Sequence, residues 1–405
     1  MNDELNAKLD TILKSIQSSL DDIKRNGRKA RELKAAVKKS RDIVTEVLEQ
    51  QLGGVSLEQQ INISEMPDED WLITARHIID EINDPFVPEN EYETYFIKLF
   101  RYLVDTDMDT IVSNIYYSYN KIMNEGFEVY DNLVERFSEL SLPLEPDPET
   151  GEPGIFEKRA AVLKRHSYDF LWIYRRTQDY LSKRTLAAIL MNWADLQLNA
   201  LVIVKSIYKK FWEPDIFRDN KDDILVCIGA ASGASLKEYV EVYGSRYSKI
   251  FAYEPSPHLF AELSSNVNEW DCHDIEIINK AAGNIRKKVA VDETENDDVQ
   301  LIRLTGPKKP EKIVIDYVKI DEEIKKPVSF LTIDAGKDTK QALIGCEKTI
   351  KKNRPKLAVC MDGELDDLWK IPSMINNIDR NYSFCIRHYG RELVPTDYAV
   401  ICKQG

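Results

Sequence analysis

The spacing of hydrophobic positions changes near residue 222, and this change divides the chain into two kinds of structure. From residue 4 to residue 212, apolar residues recur every three or four positions, which is the period of an α-helix. After residue 222, apolar runs of four to seven residues alternate with amphipathic helical windows. Alternation of this kind is typical of an open, mostly parallel α/β sheet. We therefore expect an all-α N-terminal region followed by an α/β domain.

The N-terminal half shows several helical segments. Residues 4–50 carry an apolar stripe beginning at Leu5, Leu9 and Ile12, which suits a coiled coil or a long helical hairpin. We expect this arm to drive self-association. Residues 141–154 (SLPLEPDPETGEPG) form a linker rich in proline, glycine and acids. The expected units are a coiled-coil-like arm (1–52), a helical domain (53–145), a helical lead-in (155–218) and an α/β domain (219–405).

The strand candidates of the α/β domain are apolar runs bounded by turn residues. They are Ile224–Ile228, Ile250–Tyr253, Ile275–Ile278, Ile313–Val318, Val328–Ile333, Leu357–Met361, Ser383–Arg387 and Tyr398–Cys402. The helix candidates are Leu236–Tyr243, Leu259–Val267, Lys340–Lys351 and Asp367–Ile378. In open sheets, ligands bind at the C-terminal ends of the strands, near the point where the strand order reverses.

The first strand, the turn after it and the second strand predict a nucleoside pocket. Ile224–Ile228 ends at Gly229, a turn of small residues leads to Gly233, and the second strand ends at Glu254. Glycines let a backbone approach a ligand closely, and the start of a helix offers free N–H groups. An acid about 20 residues beyond such a turn can bind the two hydroxyls of a ribose.

Composition and charge exclude several other classes of protein. A net charge of −14 argues against general affinity for nucleic acid. Residues 24–41 are basic, but no aromatic side chains are interleaved for base stacking, so we interpret them as a solvated helix face. The six cysteines form no CxxC pair, so we expect no metal site, and scattered thiols fit the cytoplasm. We also expect no membrane span, because no apolar run reaches about 18 residues.

Several blocks of sequence follow in order after residue 166. They are HSYDFLWIYRRTQDYLSKRTLAAIL (166–190), IGAASG (228–233), FAYEPSPHLFAELSSN (251–266), FLTIDAGKDTKQALIGCEKTIKKNRPKLAV (330–359), DDLWKIP (366–372) and IRHYG (386–390). The block at 251–266 contains a complete E-P-x-P-x-x-F-x-x-L-x-x-N pattern. Together these blocks resemble the FkbM family of S-adenosylmethionine-dependent methyltransferases, over residues 166–405.

The resemblance implies a class I methyltransferase domain, Rossmann-like and seven-stranded. The cofactor-binding candidates that it implies are Gly229, Ala230, Gly233, Glu254, Ala281 and Ala282. In this interpretation the glutamate binds the ribose of S-adenosylmethionine, the glycine-rich loop receives the methionine part, and the two alanines flank the adenine. The family's chemistry implies O-methylation of a sugar or natural-product hydroxyl, so the expected partner is a glycan or small-molecule acceptor.

The motifs also depart from the family pattern. In the first strand and its loop, Cys227 and Ser232 stand where acids are common. In the later motif, Thr332 replaces a lysine, Gly336 and Thr339 replace glutamates, and Lys337 replaces a glycine. Gly363 lies near the position of a histidine. In the family an acid at the position of Cys227 helps to bind the ammonium group of the cofactor. We therefore expect weak binding of S-adenosylmethionine, or none.

Asp334, Asp338 and His388 are the catalytic candidates, because methyl transfer to a hydroxyl needs a base or a group that stabilises charge. The alternative for Asp338 is a cap for the helix that follows, and the alternative for His388 is a hydrogen-bonded histidine at a strand end. Two hypotheses about function stay open. One is an active methyltransferase with altered chemistry; the other is a catalytically retired fold that serves as a binding or scaffold module.

Overall fold

The computed structural model describes residues 7–16, 18, 30–124, 137, 143–218, 221–270, 272–293, 299–303, 313–390 and 395–404. The chain forms two compact units. The helical unit comprises Met1–Arg176 and Leu186–Ala200, and the α/β unit comprises Thr177–Thr185 and Leu201–Gly405. The predicted lead-in, residues 155–218, therefore contributes to both units.

Residues 7–16 are helical, and nine further helices follow within the described part of the N-terminal half. They are α1 (Ala30–Gln51), α2 (Leu57–Ile61), α3 (Asp68–Asn83), α4 (Glu91–Asp105), α5 (Met108–Asn124), α6 (Ile155–Arg165), α7 (Ser167–Arg176), α8 (Tyr180–Asp195) and α9 (Leu198–Val202). Local chemistry explains individual boundaries. For example, Asn90 caps the start of α4, because its side chain accepts a hydrogen bond from the Glu93 amide at 3.1 Å.

The apolar stripe of the N-terminal arm is buried inside the helical unit. Leu9, Leu13 and Ile16 pack in one cluster with Val44 and Leu48 of α1, and each is at most 4% exposed. The stripe is therefore covered by residues of the same chain. Self-association through residues 1–50 stays a prediction, and any surface that mediates it must use other side chains. Leu5, Ile23 and Gly27 lie outside the described residues.

Eleven strands are described in the α/β unit. They are β1 (Ile224–Ile228), β2 (Lys249–Tyr253), β3 (Ile275–Ile278), β4 (Lys280–Ala282), β5 (Lys287–Glu293), β6 (Val299–Arg303), β7 (Ile313–Val318), β8 (Phe330–Ile333), β9 (Lys356–Cys360), β10 (Tyr382–His388) and β11 (Tyr398–Gln404). A central sheet of seven strands has the order β10-β11-β9-β8-β1-β2-β3. Its strands are parallel except β11, which is antiparallel to both β9 and β10.

The prediction for Ile313–Val318 was wrong in one respect. This segment is a strand, but it lies in a separate sheet of four strands with the order β4-β7-β5-β6. The sequence prediction missed the other three strands of this sheet. β4 has three residues, β5 begins with two lysines, and none of the three has the long apolar run of a strand buried on both faces.

Six helices connect the strands: α10 (Ala234–Tyr243), α11 (Pro257–Glu269), α12 (Ile320–Glu323), α13 (Thr339–Gly345), α14 (Glu347–Asn353) and α15 (Asp367–Ile378). The predicted helix Lys340–Lys351 is two helices, α13 and α14, which meet at Cys346. Among the described helices of both units, none is long and apolar enough to cross a membrane.

Candidate functional site

The register of the central sheet brings three predicted site residues to one edge. Ile228 at the end of β1 pairs with Tyr253 at the end of β2 and with Ile333 at the end of β8. The next residue in each strand is Gly229, Glu254 or Asp334. The strand order reverses between β1 and β8, so these residues lie at the switch point where open α/β sheets bind ligands.

A cavity of about 300 Å³ opens at this edge. It is lined by Ile228, Gly229, Ala231, Tyr253, Glu254, Pro255, Leu259, Lys280, Ala281, Ala282, Asp334, Ala335, Gly336 and Asp338. Six of the nine predicted site residues therefore line one cavity. Its volume is at the lower end of the range for small-molecule sites. Ala230, Gly233 and His388 are not part of its wall.

The two loop glycines are explained by packing within the protein. Gly229 has a φ of +80°, and a Cβ there would lie 1.8 Å from the carbonyl oxygen of Asp334. Gly233 has a φ of +93°, and a Cβ would meet Leu263 and Trp270. Gly229 thus lets the ends of β1 and β8 approach each other beside the cavity, whereas Gly233 serves the packing of α10. Ala230 is buried in the core.

Glu254 is 3% exposed, and backbone amides orient its carboxylate. Oε2 accepts a hydrogen bond from Ala231 N at 2.7 Å, and Oε1 accepts one from Ser256 N at 2.8 Å. The side chain of Asn279 donates to the Glu254 carbonyl oxygen at 2.9 Å. A carboxylate has about four lone-pair positions, so it accepts several hydrogen bonds at once. The carboxylate is therefore preorganised at the wall of the cavity.

Asp334 is held by a lysine that lies far away in the sequence. Lys210 Nζ is 2.9 Å from Asp334 Oδ2 and 2.9 Å from Asp397 Oδ1. Burial alone would lower the pKa of Lys210, but Cys360 and the acids Asp334, Asp362 and Asp397 outweigh burial and raise it. Lys210 is therefore a permanent cation, and one of its functions is to neutralise the acid at the end of β8.

Asp338 is not a helix cap. It precedes α13, but its side chain makes no capping hydrogen bond. Instead, Tyr317 OH donates to Asp338 Oδ1 at 3.1 Å. Burial raises the pKa of Asp338 above its ordinary value, although the Tyr317 hydrogen bond and Lys287 oppose this effect. A carboxylate at the cavity wall with a raised pKa is the best-placed candidate for a general base.

His388 and Cys227 lie away from the cavity. His388 ends β10, is fully buried, and neither ring nitrogen has a hydrogen-bond partner among the described residues. Burial lowers its pKa to about 4. The alternative of a hydrogen-bonded histidine is therefore wrong, and no contact supports a catalytic role. Burial also raises the pKa of Cys227 to about 12, so its thiol behaves as a small hydrophobic group.

One group of acids has the spacing of metal ligands. Glu364, Asp366 and Asp367 place carboxylate oxygens within 4.8 Å of one another. Lys340 Nζ contacts all three, at 2.6 Å, 2.7 Å and 2.5 Å. The lysine ammonium therefore supplies the positive charge that this group of acids needs.

Sequence reasoning missed four residues of this region: Lys210, Ala231, Asn279 and Tyr317. Lys210 has no sequence signal, because 124 positions separate it from Asp334. Ala231 has a φ of +47°, an uncommon conformation for a residue with a side chain. Its position between two glycines in GAASG was the available signal. Tyr317 lies in the second sheet, which was not predicted.

The likeness to one solved structure supports the fold. A similar solved structure is the methyltransferase FkbM from Methylobacillus flagellatus KT, with 20% identity and a TM-score of 0.51. The match covers 62% of this chain and 63% of that chain. An rRNA methylase from Streptococcus thermophilus has 12% identity and a TM-score of 0.34, and covers 49% of this chain and 98% of its own. Fibrillarin from Aeropyrum pernix, solved with S-adenosyl-L-methionine bound, has 14% identity and a TM-score of 0.30, and covers 57% and 76%.

No protein-family model and no curated protein matches the sequence. The likeness to FkbM extends over about three fifths of each chain, and it agrees with the motifs between residues 166 and 405. The central sheet of this chain has the seven strands that the motifs imply. The α/β unit has the class I methyltransferase fold, and the comparison supports its resemblance to the FkbM family.

Proposed function

We propose that the α/β unit binds S-adenosylmethionine and transfers its methyl group to a hydroxyl. The observation that carries this proposal is the Glu254 carboxylate, which two backbone amides orient at the wall of the switch-point cavity. The residues present fit the nucleoside part of the cofactor. Glu254 can accept hydrogen bonds from ribose hydroxyls, and Ala281, Ala282 and Leu259 offer small apolar contacts for a base.

The methionine end of the cofactor has a weaker site. Cys227 belongs to the core, and protein groups already bind both acids beside the loop: two backbone amides bind Glu254, and Lys210 neutralises Asp334. The cofactor supplies an activated methyl group on a sulfonium. Removal of the acceptor's proton would fall to Asp338, whose orientation Tyr317 maintains. The resemblance suggests a sugar or natural-product hydroxyl as acceptor, and the six free cysteines agree with a cytoplasmic setting.

A second candidate is a retired fold that binds a nucleoside ligand without turnover. One observation favours it: protein groups already bind both acids at the ends of β2 and β8. The two candidates share the pocket and differ only in chemistry. They are separated by measuring binding and methyl transfer independently.

The test is calorimetric titration of the full chain with S-adenosylmethionine. We expect binding with a dissociation constant above about 1 μM, because one favourable ion pair with the ligand is missing. Glu254→Ala should weaken binding by about 1–3 kcal/mol, since ligand hydroxyls lose their acceptor. The matched control is Glu276→Ala, which removes a half-exposed acid from β3, outside the wall of the cavity.

Because Glu254 also binds two amides of its own chain, thermal unfolding must accompany the titration. An unchanged affinity in Glu254→Ala would contradict the proposed ribose contact. Binding followed by methyl transfer to a monosaccharide, detected by mass spectrometry, would favour the enzyme. Binding without transfer to any hydroxyl acceptor would favour the retired fold.

A further inference from the structure

A second cavity, also of about 300 Å³, lies within the helical unit. Its wall is built from the C-terminal parts of α3 and α7 and includes His77, Asp80, Asp84, Trp172 and Arg175. None of these residues contributes to the methyltransferase site. The charged and aromatic groups that meet here therefore call for a separate explanation.

The imidazole of His77 is fixed at this wall. Its Nδ1 is 2.6 Å from Asp169 Oδ1, and its ring stacks on Trp172 with a centroid distance of 4.3 Å. Asp169 is fully buried and also binds His166 Nδ1 and Thr74 Oγ1, each at 2.7 Å. Hydrogen bonds and stacking thus determine the orientation of the ring before any ligand arrives.

The protonation of Asp169 decides what His77 offers to the cavity. Burial raises the pKa of Asp169, but the hydrogen bonds from His166 and His77 outweigh burial and lower it below its ordinary value. An ionised carboxylate only accepts, so Nδ1 of His77 carries the hydrogen of this bond, and Nε2 is the ring nitrogen that is left for a ligand. This nitrogen has no hydrogen-bond partner within the described ranges, although His77 is only 5% exposed.

The wall has more carboxylates than guanidinium groups: Asp80, Glu81 and Asp84 stand against Arg175 and Arg176. Arg176 lies over the ring of Trp172, with its Cζ 5.3 Å from the ring centroid. Arg175 pairs with Glu81 at 2.9 Å and with Asp84 at 2.5 Å. Asp80 lies one helical turn beyond His77 and forms no direct ion pair with any residue that the structure describes, although the charges of Arg76 and Arg175 act on it at longer range. The C-terminal ends of α3 and α7 add partial negative charge at the same wall. A ligand with positive charge and N–H donors complements these groups.

We propose that this cavity binds a small planar organic cation of the amidinium or guanidinium type. Its N–H groups donate to His77 Nε2 and to the Asp80 carboxylate, which lie one turn apart on α3. Asp169, Trp172 and Thr74 act through His77 as positioning residues. The site is separate from the methyltransferase pocket, so a failure of one proposal leaves the other intact.

The test uses the full chain and two probes of similar shape and opposite charge, benzamidine hydrochloride and sodium benzoate. Titration calorimetry should show one benzamidine site with a dissociation constant of about 1 mM or tighter. Benzoate should not bind. Asp80→Asn should weaken benzamidine binding at least about tenfold, because a charge-assisted hydrogen bond becomes a neutral one. Glu91→Gln, which removes a charge from an exposed position of α4, is the matched control and should change nothing.

Three results would overturn the proposal: no benzamidine binding, equal binding of benzoate, or an unchanged affinity in Asp80→Asn. A further check is competition with S-adenosylhomocysteine. If that ligand displaced benzamidine, the probe would occupy the cavity beside Glu254, and the proposal would be wrong. Because Asp80 is exposed, its substitution leaves the buried core of the unit intact, and thermal unfolding verifies this.

Discussion

At the scale of single residues, the two candidate acids that follow β8 are close in the sequence but have different surroundings in the structure. Asp334, at the end of β8, is neutralised by Lys210. Among the described residues, the carboxylate of Asp338, four positions later, is bonded to the phenol of Tyr317 and forms no ion pair, and Lys287 acts on it only at longer range. The second environment suits proton transfer better, since a carboxylate with a raised pKa is a stronger base.

We predict that Asp338→Asn lowers the rate of methyl transfer by about 10²–10⁴, the usual contribution of a general base. Asparagine keeps an oxygen that accepts from Tyr317, so binding of S-adenosylmethionine should not change. In the unaltered protein the rate should rise with pH through the raised pKa of Asp338. Steady-state rates measured from about pH 4 to about pH 8 give this dependence.

The same substitution has an effect on stability with a defined sign. A raised pKa means that the folded state binds the Asp338 proton more tightly than the unfolded state does. Stability therefore falls as pH rises from the unfolded to the folded pKa, and the loss is complete above the folded value. Asp338→Asn should be at least as stable as the unaltered protein at neutral pH, and urea unfolding tests this. A marked loss of stability would show that Asp338 has a structural role.

At the scale of elements, the close approach of β1 and β8 decides the shape of the site. Asp334 N donates to Ile228 O at 2.9 Å, and the Asp334 carbonyl oxygen occupies the space where a Cβ of Gly229 would lie. A side chain at position 229 would collide with the neighbouring strand, so the contact between β1 and β8 requires the glycine. The tripeptide Glu254-Pro255-Ser256 also has a role within the protein itself. Ser256 caps α11, because its side chain accepts a 3.0 Å hydrogen bond from Leu259 N.

We predict that Gly229→Ala destabilises the α/β unit by more than about 2 kcal/mol, from positive φ and steric overlap together. Gly336→Ala is the matched control, because Gly336 has a φ of +51° with no atom within 4 Å of a Cβ. It should cost only the conformational strain, about 1 kcal/mol. Chemical denaturation of both variants gives the difference. Equal stabilities would show that β1 and β8 can separate without cost.

At the scale of the whole molecule, the N-terminal stripe illustrates how one pattern supports two structures. The spacing of Leu9, Leu13 and Ile16 is compatible with an intermolecular coiled coil, but these side chains are buried within the helical unit. Self-association of this region, which we still propose, would need its exposed face. Ile43 of α1 is 43% exposed and is the apolar candidate there.

We predict that Ile43→Lys reduces the mass of the full chain in solution, measured by light scattering after size exclusion, because a charge enters an apolar contact. Val87→Lys, at a position that is 74% exposed in the same unit, is the control and should leave the mass unchanged. A monomeric mass for the unaltered chain would end the idea that residues 1–50 drive assembly.

The sequence by itself was sufficient to predict the strands of the central sheet. Strand β1 was predicted to the residue, because a parallel strand buried on both faces is a continuous apolar run that needs no partner to be recognised. The edge strand β3 was also predicted to the residue, from its three isoleucines. The resemblance and the strand-end positions also brought Gly229, Glu254, Ala281, Ala282, Asp334 and Asp338 to one cavity before any coordinates were considered. These predictions succeeded because they depend on the local spacing of apolar residues and on the parallel sheet that this spacing implies.

Only the tertiary structure decided which of these groups can act. Lys210 neutralises Asp334, Tyr317 binds Asp338, and His388 is enclosed in the core, although the sequence presented the three candidates alike. The cavity beside His77 likewise joins residues separated by 92 positions through Asp169. Burial and long-range contacts determine the charge and the accessibility of a side chain, and neither is encoded in the spacing of its neighbours.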